Sequence, residues 1–229
     1  DFEGRAPGTP GEDKTVAYLI AQMQKIGLEP GGVNGSWTQA VPMMRSEVES
    51  PVTMTFSTPE TVLTLNQGVS VSVDTATALT NISAADVPVV FVGFGANAPE
   101  QDWDDYGDID LTDKLVIYLV NDPDFAAQPD EPVAGRFGNR RMTYYGRWAY
   151  KFEEAARRGA FGALVIHETE AAGYDWSVAA AGAGENVSLA NKDPKALPVK
   201  LQGWLHNDAA HKLLATAGHD LDALREKAR

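Results

Sequence analysis

The sequence predicts an α/β (α+β) fold: a mixed β-sheet or barrel-like core flanked by helices, preceded by an N-terminal amphipathic helix and an extended segment. Three patterns support this prediction. Near-continuous apolar runs are typical of strands buried on both faces, alternating runs are typical of half-buried strands, and a helical period separates two of the apolar runs. With 229 residues and no Cys, the chain is long enough to bury a core without disulfides.

The first predicted element is an amphipathic helix. Thr9 is placed to cap it, Pro10 suits its first turn, and Glu12 can complete a capping box. Apolar side chains at helical spacing then form one stripe that ends at Gly27: Val16, Leu19, Ile20, Met23 and Ile26. The Gly-rich stretch around Trp37 is predicted to be extended.

The predicted strands are of two kinds. Residues 52–56 and 69–73 alternate between apolar and polar side chains and predict half-buried strands. Residues 87–92, 115–120 and 161–166 are apolar almost throughout and predict strands buried on both faces.

A helix is predicted over residues 147–158, between the last two buried strands. This order is that of a crossover unit with parallel strands. The predicted buried side of the helix carries Trp148, Phe152, Ala155 and Ala156, and the predicted solvent side carries Lys151, Glu154, Arg157 and Arg158.

The remaining elements follow in the last third of the chain. Residues 171–195 are rich in Ala, Gly and Asn and predict a long surface loop. A short strand is predicted over 197–201 and a helix over 208–217, and the charged tail from residue 220 has a helical composition.

Charge excludes one class of partner. Lys and Arg number 19 against 32 Asp and Glu, so the net charge is −13. Residues 100–131 hold eleven acids and one base, whereas residues 136–158 hold seven bases and two acids. We predict solvated loops and helix faces that partly pair in space. A chain with a net charge of −13 is not expected to have the phosphate backbone of a nucleic acid as its main partner, and no apolar run is long enough to cross a membrane.

Metal ligands are few. Because Cys is absent, thiolate sites are excluded. His206, His211 and His219 lack the spacing of a zinc site, and His167 closes a predicted strand with either a structural or a catalytic role. Five acids match positions of an EF-hand loop and leave calcium as an alternative to a solvated acidic loop: Asp102, Asp104, Asp108, Asp110 and Asp113. Tyr106 stands where that loop needs an oxygen ligand.

One basic and aromatic patch is a candidate contact surface for a substrate or partner. It comprises Arg141, Tyr144, Tyr145 and Arg147, immediately before the predicted helix. Arg and Tyr are typical of interface hot spots, and guanidinium groups bind carboxylates in bidentate fashion. The alternative is that the aromatic rings belong to the core and the Arg side chains pair with the acidic stretch.

Several segments resemble a known family. Residues 2–12, the amphipathic helix and residues 27–42 are similar to the N-terminal segment of co-catalytic dizinc aminopeptidases, relatives of the glutamate carboxypeptidase and transferrin receptor group. Residues 89–95, 105–106, 113–117 and 150–164 resemble the protease-associated (PA) domain inserted in such peptidases.

This resemblance implies a domain plan. Residues 1–45 correspond to the N-terminal peptidase segment, 46–218 to a PA-like inserted domain, and 219–229 to a linker toward a catalytic domain. The family's metal ligands begin at a His-x-Asp strand end, and no such pattern follows Ile166. We therefore expect no catalytic residue, metal ligand or cofactor in this chain, and two zinc ions in a catalytic domain outside it.

The resemblance also implies function and partners. The parent protein would be a periplasmic or secreted zinc aminopeptidase, and this segment would be inactive alone. Its expected partners are its own catalytic domain and peptide substrate, with self-association through the N-terminal helix as a further expectation. The alternatives are a free-standing calcium-binding or interaction domain with no peptidase partner, and a free-standing enzyme that uses His167.

Overall fold

The computed structural model describes residues 2–49, 52–182, 184–190 and 197–229. The chain divides into two compact units, Asp1–Met44 and Arg45–Arg229. The predicted division lies one residue further along the chain, between residues 45 and 46.

The first unit contains helix α1, Pro10–Lys25, and a short 3-10 turn at Val33–Gly35. The hydroxyl of Thr9 accepts a hydrogen bond from the Glu12 backbone amide at 3.4 Å, so the predicted cap is present. Within this unit the apolar stripe of α1 is incompletely covered, since Leu19 is 47% and Met23 39% exposed. Among the described residues, no helix has the length and apolar character needed to span a membrane.

The second unit contains the sheets and the other helices. Its strands are β1 (Met43–Glu47), β2 (Thr53–Ser57), β3 (Val62–Asn66), β4 (Val71–Asp74), β5 (Val89–Phe91), β6 (Asn97–Ala98), β7 (Trp103–Asp104), β8 (Leu115–Leu119), β9 (Gly162–His167), β10 (Glu185–Leu189) and β11 (Leu201–His206), with β1 beginning just before the division. Its helices are α2 (Trp148–Arg157), α3 (Thr169–Ala172), α4 (Trp176–Ala181), α5 (Asn207–Thr216) and α6 (Leu221–Lys227).

The central sheet has five strands in the order β4-β11-β9-β8-β5. Strands β5, β8, β9 and β11 are parallel, and β4 is antiparallel to β11 at one edge. The sheet is therefore mixed, as predicted, and α2 connects the parallel neighbours β8 and β9 as the predicted crossover helix.

Both faces of this sheet are covered. In β8, Ile117 and Leu119 pack into one core cluster with side chains of α5 and α6 and of the β2 and β3 hairpin. The alternate residues Val116 and Tyr118 pack into a second cluster with side chains of α2. Since successive side chains of a strand point to opposite faces, this explains why the central strands are apolar throughout.

The last third of the chain differs from the prediction. The stretch 171–195, predicted as a loop, contains α4 and β10, and its residues 191–195 lie outside the described residues. The strand predicted at 197–201 begins instead at Leu201 and continues to His206, because Gln202 and Gly203 pair with both neighbouring strands. The stretch predicted as a linker contains α6, whose Leu221 is 1% exposed in the core.

Candidate functional site

The predicted contact residues lie on the segment that leads into α2. We call residues 136–148 the aromatic–arginine loop. Arg141, Tyr144 and Arg147 are exposed, and Tyr145 is half-buried. Among the described residues, neither Arg141 nor Arg147 forms an ion pair. Their guanidinium groups are thus available to a ligand.

The structure brings the two tyrosines of the loop together. Their ring centroids are 6.5 Å apart, and each ring lies 5.2 Å from that of Tyr150 in α2. The Tyr144 hydroxyl donates to Glu153 and the Tyr145 hydroxyl donates to Glu100, each at 2.6 Å. Hydrogen bonding to the Glu100 carboxylate raises the pKa of Tyr145 to about 12, so this phenol remains a protonated donor at neutral pH.

Lys151 holds the end of the loop from inside the protein. Its side chain is 0% exposed, and its ammonium group donates to the carbonyl oxygens of Phe94, Asn121 and Tyr145. These three bonds use all of its donors. Burial lowers the pKa of Lys151 to about 8, although the negative charges of Asp122 and Asp105 oppose this change. The ammonium form therefore predominates at neutral pH.

The prediction that Lys151 and Glu154 face solvent is wrong. Lys151 is buried because three backbone carbonyls converge on its ammonium group. Glu154 is only 7% exposed, and its two carboxylate oxygens accept from Arg157 and Arg158 at 2.7 and 2.8 Å. Charged side chains whose hydrogen bonds are all made within the protein can be buried at helix positions that sequence periodicity assigns to solvent.

Two buried acids hold the loop backbone. Asp122 is 0% exposed and accepts from the backbone amide and the hydroxyl of Thr143 at 2.6 and 2.7 Å. Asp124 is 1% exposed, and its Oδ2 accepts from the amides of Phe137 and Asn139 at 2.9 and 3.0 Å. Both acids belong to the stretch predicted as solvated, and their burial corrects that prediction. Burial raises the pKa of Asp122, although the bonds from Thr143 oppose the change.

The predicted pairing between the acidic and basic stretches is limited. The Arg136 guanidinium lies 5.2 Å from the centre of the Trp103 ring and donates to the carbonyl oxygen of Gln101. Arg140 pairs instead with Glu170, which lies outside the acidic stretch. Most of the loop's position therefore comes from backbone bonds to buried charges, not from surface ion pairs.

This arrangement suits recognition. A loop held at several backbone amides loses little conformational entropy when a ligand binds. It presents two free guanidinium groups beside oriented phenol rings, a combination that contacts peptide backbone and binds carboxylates. Sequence composition identified the exposed residues, but nothing in the local pattern indicated the buried residues that hold them.

The five acids of the calcium alternative are all exposed. The Asp104 carboxylate accepts from the Tyr106 amide and that of Asp110 from the Thr112 amide, both at 2.9 Å. Within the described residues, no group of three or more His, Asp or Glu side chains is arranged to hold a metal ion.

His167 lies at the end of β9, as predicted, and is 2% exposed. Its ring is 5.5 Å from those of Tyr174 and Trp204 and 5.6 Å from that of Trp176. Burial and the neighbouring His206 lower the pKa of His167, so its imidazole is neutral at physiological pH. A neutral ring among aromatic side chains is a packing element of this face of the sheet.

Comparison with known proteins gives one remote similarity. No family model and no curated protein matches the sequence. Among solved structures, the chain is similar to the aminopeptidase from Aneurinibacillus sp. strain AM-1, with 17% identity and a TM-score of 0.35. The match covers 96% of this chain and 42% of that chain, so this chain spans less than half the length of its structural relative.

Proposed function

We propose that this chain is the non-catalytic PA region of a zinc-dependent aminopeptidase, and that its aromatic–arginine loop contacts peptide substrate or a protein partner. The resemblance of residues 150–164 to PA domains supports the first part, because this segment forms α2 and the start of β9 in the central sheet. The second part rests on one observation: Arg141 and Arg147 are exposed on a loop whose backbone is held by buried Asp122, Asp124 and Lys151.

In this proposal the chemistry takes place in another part of the same protein. Two zinc ions held by the catalytic domain would activate the water that removes N-terminal residues from peptides. The contribution of the present chain is to select or orient peptides near that site. A periplasmic or secreted location is part of the proposal.

The loop's role is tested by peptide binding to residues 1–229. A short acetylated peptide with a free C-terminal carboxylate is compared with its C-terminal amide by isothermal titration calorimetry. We expect tighter binding of the carboxylate and roughly tenfold weaker binding after replacement of both Arg141 and Arg147 by Ala. The double variant with Lys212→Ala and Lys227→Ala, at exposed positions of α5 and α6, is the matched loss of two positive charges. Equal losses in the two variants would contradict the proposed role of the loop.

The peptidase assignment has a separate test. We expect residues 1–229 to bind no stoichiometric zinc and to leave leucine p-nitroanilide intact, whereas the complete gene product hydrolyses it until a zinc chelator is added. Stoichiometric zinc with hydrolysis by residues 1–229 would refute a non-catalytic role. A complete gene product without aminopeptidase activity would favour an interaction domain with no peptidase partner, which the same exposed loop would also suit.

A further inference from the structure

A cavity of about 280 Å³ lies in the second unit, and of the aromatic–arginine loop only its last residue, Trp148, is in the lining. Its floor is the edge of the central sheet, where β11 pairs with β4 and places Gln202 opposite Asp74. Side chains of α2, α4 and β10 form its walls. The polar and aromatic part of its lining includes Asp74, Asn186, Gln202, Trp148, Tyr174 and Trp204.

The floor of the cavity carries a fixed negative charge. Oδ1 of Asp74 accepts from the Asn186 amide at 3.0 Å and from the Gln202 amide at 3.1 Å. Both donors are neutral, so they orient the carboxylate without cancelling its charge. Among the described residues, none forms an ion pair with Asp74, and the charged side chains that line the cavity are acidic: Asp74 and Glu185.

A further acceptor lies beside this carboxylate. Oδ1 of Asn186 is buried and has no donor within the part of the chain that the structure describes. Buried acceptors without a donor are uncommon because each loses its hydration without compensation. This end of the cavity floor therefore carries more hydrogen-bond acceptors than donors among the described residues.

The walls are aromatic. Trp204 lies between Trp148 and Tyr174, with ring centroids 6.5 and 6.0 Å away. Trp148 is 44% exposed and stands at the open side of the cavity. Aromatic faces attract cations and cover aliphatic chains equally well.

We infer that this cavity binds an alkyl ammonium group, such as the side chain of a lysine in a peptide or protein partner. The carboxylate at the floor supplies the counter-charge, and the aromatic rings cover the methylene stem. The neighbouring Asn186 amide oxygen adds to the excess of acceptors at this end of the cavity. The volume is at the small end for ligand sites, which suits one side chain better than a larger ligand. This inference does not depend on the proposed peptidase function, since the site lies within the second unit and needs no catalytic domain.

The site has a predictable pH dependence. Burial raises the pKa of Asp74 to about 6, although the bonds from Gln202 and Asn186 oppose the increase. The carboxylate is therefore charged at pH 7.5 and largely neutral at pH 5. Two other titratable groups line the cavity, Tyr174 and Glu185. Burial raises the pKa of Tyr174, and Glu185 pairs with Arg45 at 2.8 Å. Binding of the cation should weaken as the pH falls through 6.

The test compares two probes that differ only in the presence of the terminal ammonium group. Nα-acetyl-lysine N-methylamide and Nα-acetyl-norleucine N-methylamide are titrated into residues 1–229 at pH 7.5, and the indole N–H signals of Trp148 and Trp204 are followed by NMR. We expect saturable shifts with the lysine probe and at least roughly tenfold weaker binding of the norleucine probe. Asp74→Asn should reduce binding of the lysine probe by a similar factor.

Two further variants make the result specific. Asp130→Asn removes an exposed acid that does not line the cavity, so its affinity for the lysine probe should stay within about twofold of the unmodified protein. Trp148→Leu, at a half-exposed position, should weaken binding several-fold without unfolding the chain. Equal binding of the two probes, no saturable shift with the lysine probe, or unchanged affinity in Asp74→Asn would each overturn the inference. No aminopeptidase measurement bears on this outcome.

Discussion

The buried charged side chains of this protein act through specific partners. Lys151 bonds to three carbonyl oxygens, Asp122 to Thr143, and Asp124 to two backbone amides. A buried charge without such partners would cost several kcal/mol. These residues therefore specify the conformation of the aromatic–arginine loop, and their replacement should affect that loop before other parts of the chain.

Asp124→Ala should loosen the aromatic–arginine loop. The change removes the acceptor of the Phe137 and Asn139 amides, and each lost bond at a buried group costs about 1–3 kcal/mol. We expect faster tryptic cleavage after Arg140 and Arg141, measured by mass spectrometry of timed digests. Asp130→Ala, an exposed acid of the same acidic stretch, is the control. Identical digestion of the two variants would show that Asp124 does not order the loop.

Asp74→Asn should stabilise the protein at neutral pH and have little effect in acid. The pKa of Asp74 rises from 3.8 to about 6 on folding, so the folded state binds more protons than the unfolded state between these values. The stability from this group is therefore present below pH 4 and lost as the pH rises through 6, by up to about 3 kcal/mol.

The measurement is urea unfolding of both proteins from pH 4 to 8. We expect the free energy of unfolding of Asp74→Asn to exceed that of the unmodified protein by about 1–3 kcal/mol at pH 7.5 and to converge with it near pH 4. Burial also raises the pKa of Asp105 to about 6. The free energy of unfolding of the variant should therefore still fall as the pH rises, but less steeply than that of the unmodified protein. A variant that is no more stable than the unmodified protein at pH 7.5 would contradict this account.

At the scale of elements, strands were easier to predict than the polar faces of helices. The three apolar runs became β5, β8 and β9. Strands β8 and β9 are buried on both faces, as predicted, because strands covered on both sides have no polar face to alternate. Strand β5 lies at the edge of the sheet and Val89 is 42% exposed, so the prediction of burial on both faces is wrong there. Strand β3 was not predicted although it forms a hairpin with the preceding strand β2, and helix α4 was not predicted either. In α2 the helical period indicated a helix but gave the wrong exposure for Lys151 and Glu154, whose partners lie elsewhere.

Lys151→Met should destabilise the second unit strongly although it keeps the length and helix propensity of the side chain. Three carbonyl oxygens lose their donor, and Asp122 and Asp105 lose the nearby positive charge. We expect a loss of about 3 kcal/mol or more in the free energy of unfolding, measured by urea denaturation. Lys212→Met, at an exposed position of α5, should cost at most about 1 kcal/mol. Similar losses in both variants would mean that Lys151 is not a central partner of α2.

At the scale of the whole molecule, the two units differ in how completely their apolar side chains are buried. Residues 45–229 contain a five-stranded sheet with a core cluster on each face. The first unit has one long helix whose apolar stripe is partly exposed within that unit. Its self-association stays a prediction, which sedimentation of residues 1–229 over a range of concentrations would test.

The fragment 45–229 should fold without the first unit. Both core clusters lie within it, so we expect cooperative thermal unfolding by circular dichroism and retention of near-ultraviolet signals. The matched control is the fragment 45–218, which lacks α6 and with it the packing of Leu221, Leu224 and Ala228. Loss of these apolar contacts should lower the free energy of unfolding by several kcal/mol. Equal stability of the two fragments would show that α6 is dispensable, as a linker would be.

The sequence by itself determined the class of the fold and the crossover of α2 between two parallel strands. These features depend on local spacing and composition, which a periodic pattern records. Only the tertiary structure decided which polar side chains are buried. Lys151 finds an acceptor 57 positions away and Asp74 a donor 128 positions away. Burial of a charge depends on partners that converge through the fold, and no local pattern contains them.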